Sequence, residues 1–227
     1  MLTKNFPVAT MFLIVLNGMI FGIGFFSGKQ TQIIQNYGFI PNHIFSPTFD
    51  RSDIDAQNSQ SLQSSELQPS FSSYSLSDSL TRIFTSMFVH GNIAHIAFNL
   101  LALAYLGTFA ERAIGIPRYV LVYFISGIVA ALFHGAIATY ILHNGNVVLI
   151  GASGAISGVL GIAAALGNTR AYYWLVVQIL FAVVGSVSAL SIAFAAHVGG
   201  FIAGVVMTKA LVSLERSRRK SRYFLQP

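Results

Sequence analysis

Apolar residues fall along this chain in long, nearly unbroken runs with no polar stripe, and polar residues collect between the runs. Residues 8–26 form the first run, about the ~20 residues that a helix needs to cross ~30 Å of hydrocarbon. A signal peptide is the weaker reading, because the run is long for one and Ser27-Gly28-Lys29 follows it without a small-residue cleavage pattern. From 42 to 80 the chain is a polar, serine-rich loop, with ten serines among the twenty-four residues from Ala56 to Ser79, and 46–79 reads as mobile. The stretch before it, Tyr37-Gly38-Phe39-Ile40-Pro41, is more apolar and suits the membrane interface. Further runs cover about 83–109, 119–142 (opened by Pro117) and 147–166. Some forty mostly apolar residues after Tyr172 are enough for two more crossings, 172–185 and 189–211, with the break at Gly185-Ser186-Val187-Ser188. A basic tail occupies 212–227. The pattern predicts one all-α polytopic membrane domain of six transmembrane helices, without an internal repeat.

Composition agrees: of 227 residues, 54% are hydrophobic and 9% charged, too apolar for a soluble globule. Cysteine is absent, which removes disulfides and thiolate metal sites. The formal charge of +6 raises nucleic acid as a partner, but Lys209, Arg216, Arg218, Arg219, Lys220 and Arg222 follow directly on an apolar run. That placement is simpler as an anchor on anionic lipid. With six crossings, Lys4, Arg112, Arg118, Arg170 and these six share one side, against Lys29, Arg51 and Arg82 on the other. The positive-inside rule then puts both termini in the cytoplasm and the serine-rich loop outside.

Polar groups inside membrane spans are costly, so each needs a reason. Those within the predicted runs are few and cluster. His95 and Asn99 sit four apart on one face of the second helix, with His90 about a turn and a half above. Ser153 lies in Gly151-Ala152-Ser153-Gly154 on the fourth, beside a stripe of Gly151, Gly154, Gly158 and Gly161. His197 is on the sixth, with Gly200 and Gly204 at three and seven residues beyond it. Taken singly, these are a packing motif, an interhelical clasp and a structural histidine or proton carrier. The second, fourth and sixth helices run in the same direction, however, and Ser153 and His197 each enter the membrane to ~10 Å. Packing of the two glycine faces would bring His197 within hydrogen-bond reach of Ser153 Oγ. A serine, an imidazole and further donors at one depth are what acyl transfer requires.

These motifs, His90-x4-His95-x3-Asn99, Gly151-x-Ser153-Gly154 and His197-x2-Gly200-x3-Gly204 in that order, make the chain resemble the rhomboid intramembrane serine proteases. Tyr37-Gly38-Phe39-Ile40-Pro41, Arg82, and Glu111 followed by Gly115 add to the likeness, which covers about residues 8–210 in the six-helix prokaryotic form. The resemblance implies Ser153 as nucleophile and His197 as its general base, a dyad without an aspartate; no carboxylate falls within the runs as delimited. It implies His95, Asn99 and the Ser153 N–H as the oxyanion hole, His90 as a structural histidine of the outer loop, and Arg82 as part of that loop's anchoring pair. Two positions depart from the pattern: Thr81 precedes Arg82 where the family commonly has Trp, and Ser157 stands where an aromatic ring often packs on the catalytic histidine. What orients His197 is thus left open. His134 and His143 match nothing in the pattern and are read as incidental.

The resulting expectation is an endopeptidase of a prokaryotic plasma membrane, needing no cofactor or metal, that cleaves single-span membrane proteins at a site open to the outer side. A non-proteolytic relative that binds transmembrane helices is the alternative, weakened by the presence of both Ser153 and His197. A proton or metal transporter is a third, disfavoured by the lack of a carboxylate in the runs.

Overall fold

The computed structural model describes residues 6–46, 75–169, 171–173, 175–176 and 193–224. Among these, four helices are long and apolar enough to cross a membrane: α1 (Val8–Phe26), α5 (Ile93–Ile114), α6 (Ile116–Tyr140) and the 25 residues Phe194–Arg218 of the last helix. Three short helices, α2 (Gln30–Tyr37), α3 (Asn42–Phe45) and α4 (Leu76–Thr85), lie between α1 and α5. The apolar α7 (Ser153–Ala165) precedes the last helix, α8 (Ala193–Phe224). Most of the serine-rich loop, the expected break at 185–188 and most of the expected fifth crossing fall outside the described residues.

Two boundaries differ from the hydropathy reading in ways that shape the site. The second run does not continue as helix from 83. It is split into α4, a tight turn over Ser86–Phe88, and α5, because Asn92 takes extended backbone angles and its side chain accepts the His95 N–H at 2.8 Å. His90 therefore stands off the helices. At its other end α5 continues past 109 to Ile114, so Glu111 lies inside a spanning helix, contrary to the expectation that these helices hold no carboxylate.

The fourth run likewise does not begin as helix at 147. Leu149 instead forms an isolated antiparallel bridge with Phe39, exchanging both backbone hydrogen bonds at 3.0 and 2.8 Å. At Gly151 φ is +113°, a conformation open chiefly to glycine, and the helix starts only afterwards. At 13 residues α7 is about 20 Å long, some 10 Å short of the hydrocarbon. It tolerates this by being central, with every residue from Gly154 to Ala164 buried. Non-helical backbone at membrane depth survives only where protein or a water-lined cavity surrounds it.

Small residues let α6, α7 and α8 approach closely. A Cβ on Gly200 would come within 3.0 Å of the Gly154 carbonyl carbon, and one on Gly204 within 2.7 Å of Gly158 Cα. On the other side Gly154 faces Ala130 Cβ and Gly158 faces Ser126. Without a hydrophobic drive between helices in lipid, such backbone contact is what holds them.

Candidate active site

Ser153 opens α7, directly after an Ala152 cap residue whose side chain cannot accept a hydrogen bond. The first N–H groups of a helix have no carbonyl one turn back, so the peptide donors of this turn are left for another acceptor, at the positive end of the helix dipole. Beside the serine is a cavity of about 20 Å³, room for roughly one water. Its lining includes Ser86, Gly127, Ala130, Gly151, Ser153 and Ala196.

Asn92, by capping α5, brings His95 onto Gly151. The His95 Nε2 would lie 2.6 Å from a Cβ built on Gly151. Its Nδ1 accepts the Gly91 N–H at 3.5 Å, so a neutral ring carries its proton on Nε2, the nitrogen turned to Gly151. One turn on, Asn99 is buried and its Nδ2 donates to the His95 carbonyl at 2.9 Å. An amide nitrogen bears two hydrogens, so a second donor remains on the same face.

His90 is fully buried and ties three segments together. Its Nε2 accepts the Ala152 N–H at 3.5 Å, its carbonyl accepts from Gln30 Nε2, and its ring meets that of His95 edge-on with centroids 5.0 Å apart. Gly151 N–H donates to the Ser86 carbonyl at 2.9 Å, a second tie to the turn before His90. Arg82 on α4 donates to the carbonyls of Gln35 and Gly38 at 2.7 and 3.2 Å, securing the end of α2. Its neighbour Thr81 donates to the Ser77 carbonyl at 2.8 Å. Beyond it Thr85 reaches the Tyr37 carbonyl at 2.8 Å.

At the far end of α5, Glu111 is 4% exposed and its carboxylate accepts the N–H groups of Ala9 and Thr10 and the Thr10 hydroxyl, at 3.2, 2.7 and 2.8 Å. This side chain caps α1. It is about 16 residues, or ~24 Å along the helix, from His95, too far to serve the serine.

His197 lies in the first turns of α8. The register that brings Gly154 against Ala196 and Gly200 places it level with Ser153. No hydrogen bond joins it to Ser153, however: both its ring nitrogens are buried without a hydrogen-bond partner among the described residues. Ser153, Gly154, His95, Asn99 and the Gly200–Gly204 face of α8 thus converge, while the expected serine–histidine bond is absent from this state. His197 is within electrostatic range of His95 and also of His134, on α6. His134, read as incidental from the sequence, is fully buried, and the only hint of this in the sequence was an imidazole within a spanning run.

A family model described as Rhomboid domain matches residues 77–214, more than half of the chain. The chain belongs to the rhomboid family. It is accordingly an integral membrane protein, and the match runs from α4 through the glycine face of α8. Rhomboid protease GluP of Bacillus subtilis is 34% identical over 137 residues, covering 57% of this chain and 26% of that protein. Rhomboid protease AarA of Providencia stuartii is 31% identical over 163 residues, covering 59% and 57%. The chain thus spans about a quarter to a little over half of the length of these relatives. Inactive RHOMBOID-like protein 8 of Arabidopsis thaliana is 29% identical over 123 residues, covering 54% and 31%. Rhomboid relatives bearing both labels, protease and inactive, are therefore similar to it.

Proposed function

We propose that this rhomboid is an intramembrane serine endopeptidase acting through Ser153 and His197. The observation that carries the reading is Ser153 at the uncapped start of α7, with the His95 ring held over Gly151. In the reaction, Ser153 Oγ attacks the scissile carbonyl while His197 takes its proton. The oxyanion is met by the Ser153 N–H, His95 Nε2–H and the remaining N–H of Asn99, each such donor being worth about 3–4 kcal/mol in the transition state. His197 then returns the proton to the leaving amine, and a water hydrolyses the acyl-enzyme.

Attack requires an extended substrate backbone, so a single-span helix weakened by Gly, Pro or polar residues is the expected substrate. We place six crossings in the complete bundle, both termini in the cytoplasm of a prokaryotic plasma membrane, and the site open to the outer side, where the short α7 leaves room for water. His90, Arg82, Gly151, Gly154, Gly200 and Gly204 act as support.

A second reading, a non-proteolytic rhomboid that binds transmembrane helices, draws on the inactive relative and on the missing serine–histidine bond. Labelling with a fluorophosphonate separates the two. Covalent labelling of wild type that vanishes in Ser153→Ala and His197→Ala supports the enzyme; an unlabelled but folded wild type favours the helix binder.

A further inference from the structure

We infer that His134 on α6 orients the His197 imidazole at the active site, the task for which Ser157 supplies no ring. The inference rests on the proposed Ser153–His197 dyad.

The register of α6 against α8 carries it. Ala130 faces Gly200, Phe133 packs on Gly199, where a Cβ would stand 2.8 Å from Phe133 Cβ, and Arg118 pairs with Glu215 at 3.2 Å. Positions advance along one helix as they recede along the other, so α6 and α8 are antiparallel. One residue beyond Phe133 and one turn beyond Ala130, His134 comes level with the turn of α8 that holds His197. The two imidazoles interact electrostatically, in agreement with that register. His134 is fully buried between small neighbours, Ala130 and Ala131 before it and Gly135 after it. A buried polar ring in a spanning helix is costly, and a place beside the general base gives it a use.

Few other groups compete for this role. Among the described residues, the ionisable side chains facing His197 are His95 from α5 and His134 from α6. Helix α7 carries none between Ser153 and Ala165, and α8 has none from Ala193 to Thr208 apart from His197 itself. Ser157 is buried on α7, but its hydroxymethyl group offers no flat surface for an imidazole. Among the described residues no hydrogen bond reaches the His197 ring in this state; the inferred bond from His134 forms when the His197 ring turns to Ser153, and a protonated imidazole on α6 would compete with it for a proton.

The test is the pH dependence of fluorophosphonate labelling of the full chain in lipid nanodiscs, with wild type, His134→Ala, His134→Gln and Ser153→Ala. His134→Ala is expected to slow labelling at neutral pH by roughly 10- to 100-fold, the cost of a misplaced catalytic group. Its acid limb is expected to move to higher pH, since the competing imidazole is gone. His134→Gln, which keeps hydrogen-bonding capacity at that depth, is expected to recover most of the neutral-pH rate while retaining the moved limb. If His134→Ala melts early, the limb of its folded fraction and that of His134→Gln decide. Ser153-dependent labelling with rates and limbs like wild type in both His134 variants overturns the role of His134 alone. Labelling that survives Ser153→Ala, or a folded wild type that does not label, overturns the dyad and this inference with it.

Discussion

The His95 ring occupies the space that any side chain at Gly151 would need: a Cβ there would stand 2.6 Å from Nε2 and 2.9 Å from Cε1. The same glycine has φ +113°, so one residue sets both the entry of the chain into α7 and the position of a proposed oxyanion donor. Gly151→Ala is therefore expected to lower cleavage of a membrane-anchored reporter by at least about 100-fold, the scale of losing one oxyanion donor. Backbone strain adds about 1–3 kcal/mol of destabilisation, read from thermal unfolding in detergent.

Asn99 tests the donor set with less disturbance. Its amide already donates to the His95 carbonyl, so Asn99→Ala removes one hydrogen bond within α5 together with the free N–H. A fall in kcat of about 10²–10³ with KM nearly unchanged is expected from steady-state cleavage assays. Equal losses in kcat and in folded protein would assign Asn99 to structure alone.

Glu111 separates stability from chemistry. Its carboxylate accepts three hydrogen bonds from the start of α1, and it is ~24 Å along α5 from His95. Glu111→Ala leaves those donors unmet and is expected to destabilise by about 1–3 kcal/mol. The labelling rate per folded molecule should stay that of wild type; a rate loss without a change in melting would refute the capping role.

The segment holding α3 should respond to acid through His43. Burial first, and the Arg82 guanidinium second, hold its pKa below the ordinary 6.5. The folded state thus prefers the neutral ring, and the unfolded chain binds the proton more readily. Stability from this group is complete above about pH 6.5 and is lost as pH falls toward the lowered value. Protection of the α3 amides, taken relative to their intrinsic exchange rates, is expected to fall below about pH 6.5 in wild type and to lose that dependence in His43→Gln.

Much of this was legible in residue order. Long apolar runs pick out α1, α5, α6 and α8, since hydropathy reports depth directly. The spacing of His95 and Asn99 predicts a shared face, and Gly154, Gly158, Gly200 and Gly204 predict a close helix pair; both hold in the fold. Role assignments for Ser153 and His197 are legible only through the family resemblance and remain for the labelling experiment.

Ser153 in its apolar setting, and the run of glycines beside it, follow from the sequence alone, because partition between water and lipid is a sum over local composition. Where α7 begins was decided by tertiary contacts: apolar non-helical backbone and an apolar helix have the same hydropathy, and only the pairing of Leu149 with Phe39 and the seat of His95 over Gly151 hold the helix off until Ser153. The antiparallel register of α6 and α8, on which the inference about His134 rests, is settled in the same way, since a register is a property of two helices together.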